Sequence, residues 1–256
     1  MSAPYIIWTM QRTGGTTLAA LLSELTEHPK IEHEPFNVER TLGWVTRNWR
    51  EKQDAKLLQA DLRSALEKRP VIKHCYELVP EELNNTLMTY ATELGYRHVI
   101  LDRRAEQDRI LSLELAKQTG AWGGKGVRGT YDRVEAGEVK LHDIDTQAAL
   151  GHMGYCQKRR QLLAAQFSKN GQSPFVVYFE DVYSDPDAGR KRVGELVSFL
   201  GIDPSEHPNY AAQVDEALLK KGQNSARVMD LVPNIADVRA KLIASLQEKQ
   251  FEFVAR

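Results

Sequence analysis

Pro4–Leu22, PYIIWTMQRTGGTTLAALL, is the stretch on which the fold of this chain turns. Tyr5 to Trp8 form a continuous apolar run, the pattern of a strand covered on both faces. Gly14 and Gly15 permit a tight turn and leave no Cβ between the backbone and a bound group. Thr16 and Thr17 stand where a helix begins, with Leu18, Leu21, Leu22 and Leu25 on its inward face. A helix start presents unpaired N–H groups and the positive end of a dipole, so a strand–loop–helix of this composition is an anion site. Arg12 adds a planar, permanently charged fork suited to phosphate or sulfate oxygens. The stretch therefore reads as a cradle for a phosphate or phosphosulfate. It has no lysine, whereas the Walker A pattern requires Gly-Lys followed by Ser or Thr. An ordinary ATP or GTP site is disfavoured, and arginine carries the charge.

The rest of the chain supports an α/β reading. Its 256 residues suffice for one domain with a sizeable core, and 42% hydrophobic with 27% charged residues is the composition of a globular protein. A net charge of −1 argues against a general nucleic-acid or anionic-membrane binder. Cys75 and Cys156 form neither a disulfide framework nor a zinc pattern, and no metal-ligand cluster is expected. The opening MSAP has no basic stretch or apolar core, and no apolar run approaches a membrane span, so a cytoplasmic protein is expected.

After the opening helix, expected to reach about His28, residues 31–35 read as a short extended segment. Two helices between Val38 and Lys68 could form a rim or lid. Strands are expected at 70–76, 97–101 and 174–179, with helices at 80–94, 105–119, 144–169, 186–200, 209–220 and 234–250. Asp185-Pro186 reads as an N-cap followed by proline in the first helical turn. The glycine-rich WGGKGVRG at 122–129 opens an expected mobile loop extending to 143. Alternating strands and helices predict a P-loop-like three-layer sandwich, a mostly parallel sheet flanked by helices, in a single domain over 1–256.

Arg12-Thr13-Gly14-Gly15-Thr16-Thr17 resembles the 5′-phosphosulfate loop of PAPS-dependent sulfotransferases, written K/R-S/T-G-T/S-T. It is most similar to that of bacterial carbohydrate sulfotransferases of the trehalose and nodulation-factor type, which favour Arg in the loop. Gly15 departs from the usual Thr or Ser. Arg104 followed eight residues later by Ser112 resembles the family's 3′-phosphate motif, and the following LSLELAKQTGAW resembles the trehalose-type helix ending. Lys220-Lys221-Gly222 resembles the R-K-G segment that closes over the 3′-phosphate, without its usual continuation; Gly124–Arg128 is a rival source of positive charge. The resemblance implies PAPS as donor, PAP as product, a glycan or other hydroxyl acceptor, and no metal.

Two residues compete for the general base. Glu34, in EHEPFN, resembles the glutamate of the bacterial G-E-P-F-N stretch, with His33 in place of Gly. His74, in IKHCY, resembles the histidine of the K-T-H element, with the intervening Thr absent. The subgroup features favour Glu34, with His74 as the alternative. Glu180-Asp181, in FEDVYSDP, is expected to cap the next helix. Trp44, Trp49 and Trp122 are candidate sugar-stacking faces, although packing is the commoner role of aromatics. Competing functions are a P-loop-type nucleotide kinase or NTPase, with Asp102 as its one strand-end magnesium candidate, and a non-catalytic nucleotide-binding protein. The acceptor and the oligomeric state, a homodimer included, stay open.

Overall fold

In the computed structural model, residues 2–122, 127–219 and 225–254 are described, apart from the side chains of 127, 128, 248 and 249. The chain forms β1 (Tyr5–Thr9), α1 (Gly15–Glu24), α2 (Gly43–Lys52), α3 (Ala55–Leu66), β2 (Ile72–Cys75), α4 (Glu81–Glu93) and β3 (Arg97–Asp102). It continues with α5 (Glu106–Thr119), α6 (Val127–Glu135), α7 (Thr146–Lys169), β4 (Phe175–Tyr178), α8 (Phe179–Tyr183) and α9 (Pro186–Leu200). A 3₁₀ turn (Pro204–Glu206) precedes α10 (Tyr210–Leu219), α11 (Ala226–Met229) and α12 (Ile235–Lys249). Two compact units emerge, the first from residues 1–102, 162–220 and 253–256, the second from 103–161 and 221–252.

The first unit holds a four-stranded, all-parallel sheet of order β2-β1-β3-β4, flanked by helices. β1 is central and buried at every position, which its apolar run requires. Its alternation sends Tyr5 and Ile7 into a layer built with Leu18, Leu21 and Leu22 of α1 and Val193, Leu196 and Leu200 of α9. Trp8 points the other way, where His74, His98 and Phe167 of α7 surround it. α4 joins that second layer through Asn84, which bonds His74, and Thr92, which bonds His98. At the β2 edge the chain after α1 runs alongside as a partial extra strand, with Lys30 bridged to Val71.

α1 stops at Glu24 rather than near His28. Beyond it, Glu27 accepts the Ser2 backbone N–H and hydroxyl, each at 2.7 Å, so the chain leaves the helix to meet its own beginning. Asp185 is the expected N-cap of α9, accepting the Ala188 N–H at 2.8 Å. Glu180 and Asp181 do not cap α8: Tyr178 holds the cap position, and the two carboxylates sit in the first turn, where they complement the helix dipole.

The second unit is helical. α5, α6, α7, α11 and α12 contribute to one core containing Ile110, Leu115, Tyr131, Met153, Val228 and Leu242. The segment expected to be an irregular loop contains α6, because Tyr131 and Val134 supply a buried helical stripe stronger than the helix-breaking effect of Gly129. Beneath α5 the Glu106 carboxylate is gripped by both Arg109 (2.7 and 2.8 Å) and Arg160 (2.9 and 2.7 Å). Burial alone would raise the Glu106 carboxyl, but the two guanidiniums outweigh it and hold it down to about 2. Among the described residues no helix is long and apolar enough to cross a membrane.

Candidate functional site

The loop following β1 lies at the carboxyl end of the sheet, where the chain turns to β2 on one side while β3 pairs on the other. In open parallel sheets this switch point is where ligands bind. Gly14, with φ of 77°, turns the chain into α1 in the left-handed region. Gly14, as the N-cap of α1, has no side chain to cap it, and no acidic residue occupies the first turn to offset the dipole. Thr16 is exposed and Thr17 half-buried at that end, while the Thr13 hydroxyl is turned inward. It donates to the Met10 carbonyl at 2.9 Å and contacts the Thr9 hydroxyl, bracing the loop from beneath. Glu77 braces it from the side, its carboxylate accepting the Gln11 N–H at 2.5 Å.

At both loop glycines a side chain would crowd its neighbours. A Cβ at Gly14 would come within 2.6 Å of the Phe179 ring. At Gly15 it would meet Leu101 Cδ2 at 2.8 Å and Lys73 Cε at 3.2 Å. Gly15 thus stands where Lys73 crosses the start of α1.

Lys73 Nζ lies 2.7 Å from Glu34 Oε1, and the Glu34 N–H donates to the Lys73 carbonyl at 2.8 Å. Their side chains are only 8% and 21% exposed, so the pair is more than a solvated surface contact. Glu34 belongs to a segment wrapped round the β2 edge. Phe36 is buried beyond it against the His74 ring, and Thr46 of α2 donates to the Phe36 carbonyl at 2.5 Å. His33, beside Glu34, is pushed below its ordinary value by burial and then by the Lys73 charge.

Four non-glycine residues adopt positive φ among those described: Arg12, Glu34, Gln53 and Arg69. Gln53 caps the end of α2 and Arg69 follows the end of α3, where left-handed residues commonly close helices. Arg12 (66°) and Glu34 (57°) are in loops, each in a conformation costing about 1–3 kcal/mol. Such strain concentrates at functional sites.

His74 occupies a different environment. It is 1% exposed, with Nε2 2.7 Å from Asn84 Oδ1, and its ring meets Trp8 edge-on with centroids 5.0 Å apart. That is how a packing histidine is held.

Arg104 and Ser112 belong to the second unit. The Arg104 carbonyl accepts the Glu106 N–H at 2.8 Å and the Gln250 amide at 3.1 Å. Ser112 is buried in α5, its Oγ 3.1 Å from that of Ser225. Ser225 directly follows the stretch containing Lys220, Lys221 and Gly222, which lies outside the described residues, as do 123–126 of the rival basic segment. Sequence reasoning missed Lys73 as a site residue in its own right, together with Glu77 and Ser225. For Lys73 a signal existed, since odd positions of β2 must share a face with Ile7 if His74 pairs with Trp8. No local pattern marked Glu77 or Ser225.

No protein-family model matches the sequence, and no curated protein matches it.

Proposed function

We propose that the protein transfers a sulfuryl group from PAPS to the hydroxyl of a carbohydrate or glycolipid, releasing PAP. The observation carrying this reading is Lys73, which reaches Glu34 at 2.7 Å while its side chain packs over Gly15 at the start of α1. One ammonium thus joins the anion-binding end of a helix to a carboxylate able to accept a proton.

The 5′-phosphosulfate would rest on the N–H groups of α1 with Arg12 beside it. The acceptor oxygen attacks sulfur in line with the oxygen bridging sulfur and phosphorus. A new S–O bond forms, the bridging S–O bond breaks, and its electron pair passes to the phosphate oxygen. Glu34 takes the acceptor's proton. As its charge disappears its hold on Lys73 weakens, freeing the ammonium for the departing oxygen as negative charge develops there. The 3′-phosphate is assigned to Arg104 and Ser112, and with Lys220–Gly222 this part rests on sequence resemblance. A glycan partner and a cytoplasmic location belong to the same proposal.

The test begins with thermal unfolding in the presence of PAP or ATP–magnesium. Protection by PAP and not by ATP–magnesium is expected; the reverse would replace the sulfotransferase with a kinase or NTPase. Transfer of radiolabelled sulfate from PAPS into cell extracts then identifies the acceptor. Tight PAP binding with no labelled product from any extract would leave a nucleotide-binding protein without turnover.

A further inference from the structure

Residues 32–41, between the Lys30 bridge and α2, form neither helix nor strand, yet one side chain joins their two ends. Oε1 of Glu32 accepts the Thr41 backbone N–H and, at 2.5 Å, the Thr41 hydroxyl. Oε2 lies 3.3 Å from Arg40 Nη1. These partners hold the Glu32 carboxyl below its ordinary value, the Thr41 hydroxyl and N–H first and Arg40 after them. Both members of the Arg40–Glu32 pair are well exposed, so the ion pair itself adds little. The bonds to Thr41 matter more, because a carboxylate accepting from a backbone N–H makes a charge-assisted bond. A loop whose ends meet in this way, here with Phe36 buried inside it, is a compact unit rather than a loose connection.

Glu34 sits within the closed loop, two residues from the clamp, and its φ of 57° is the left-handed one. A strained residue persists only where its surroundings over-determine it. On one side Glu34 is held by Phe36 in its buried site, by the Asn37 N–H donating to the Glu34 carbonyl at 3.0 Å, and by the Leu42 N–H donating to the Pro35 carbonyl at 2.8 Å. On the other side the Glu32 carboxylate ties the approach to Glu34 back onto the far end of the loop.

We propose that Glu32 is a positioning residue, whose carboxylate closes the loop over 32–41 and so holds Glu34 in the left-handed conformation that keeps its own carboxylate on Lys73. The closure stands on the contacts alone; its importance to turnover rests on the sulfotransferase reading. In that reaction Glu32 acts through the placement of Glu34 and not on the reactants.

Amide hydrogen exchange on the full chain reads the closure directly. In Glu32→Ala the N–H groups of Glu34, Asn37 and Leu42 should exchange at least about tenfold faster than in the wild type. Val71, whose N–H donates to the Pro29 carbonyl at 3.0 Å outside the loop, should keep its wild-type rate. Glu32→Gln retains an acceptor oxygen for Thr41 and should exchange close to wild type. Unchanged exchange at all three amides in Glu32→Ala overturns the proposal. So does equal acceleration at Val71, which would mean that the whole β2 edge has loosened. In the transfer assay Glu32→Ala should lower kcat about tenfold and leave KM for PAPS and the affinity for PAP unchanged, with Glu32→Gln restoring most of the rate. Wild-type kcat in Glu32→Ala, or a loss of PAP affinity as large as the loss of kcat, refutes the positioning role. If wild-type protein transfers no sulfate, the functional reading fails, while the exchange rates still decide whether Glu32 holds Glu34.

Discussion

Lys73 and His74 are consecutive on β2, yet they open on opposite faces of the sheet. Register pairs Lys73 with Ile7 and His74 with Trp8, so each follows its partner's side. Lys73 thereby reaches Glu34 and the start of α1, whereas His74 enters the layer of Trp8, Phe36 and Asn84. In the proposed transfer a general base must approach both the acceptor and the loop before α1, and alternation puts only one of these two neighbouring residues on that face.

Glu34→Gln should therefore reduce kcat by about 10²–10⁴-fold while PAP binding persists, since the amide keeps the shape but cannot take the proton. His74→Ala should leave kcat close to wild type and reduce the urea midpoint, because it empties a packed site and removes the partner of Asn84. Folded His74→Ala without turnover, alongside active Glu34→Gln, would reverse the assignment.

Gly15 tests the placement of Lys73. An alanine Cβ would lie 2.8 Å from Leu101 and 3.2 Å from Lys73, with Leu101 held inside the core. Gly15→Ala is expected to cost about 1–3 kcal/mol in urea unfolding, and Gly15→Thr more. Both should weaken PAP binding in calorimetry by displacing the lysine. A Gly15→Thr variant of wild-type stability and affinity would show that the close approach does not exist in solution.

His98 gives stability a dependence on pH. The Trp8 indole N–H donates to Nδ1 at 3.1 Å, and an indole cannot accept, so the ring proton is on Nε2 facing Thr92 at 2.9 Å. Burial pulls the imidazole down to about 4. Between that value and the unfolded value near 6.5 the unfolded chain binds more protons, so the contribution is complete above about pH 6.5 and declines toward pH 4. Urea unfolding should show up to about 3 kcal/mol lost from this group across that window. His98→Gln should flatten that part of the profile.

Glu106 acts over a lower range. Its folded value of about 2 lies below the ordinary 4.5, so its stabilisation is complete above about 4.5 and lost as pH falls toward 2. Glu106→Gln leaves Arg109 and Arg160 buried without the carboxylate and should cost about 3–5 kcal/mol at neutral pH, measured by urea unfolding. A cost no larger than that of a surface substitution would mean that water reaches the cluster.

Much of this architecture was legible locally. The apolar run at Tyr5–Trp8, the glycine turn and the leucine stripe each encode their element within a few residues, and the remaining strands repeat the theme. Asp185-Pro186 announced α9 because an N-cap is a contact between near neighbours. WGGKGVRG misdirected the reading of α6, since the burial of Tyr131 and Val134 depends on distant helices.

The sequence by itself determined an α/β chain with a glycine turn between its first strand and first helix, because strand, turn and helix signals act over short distances. Only the tertiary structure decided which charged groups meet there. Lys73 reaches that turn from a strand nearly sixty residues away, and Glu34 is carried to it by a segment wrapped round the sheet edge. Strand register is set by the packing of both faces at once, and it is register that turns Lys73 toward Glu34 and His74 away.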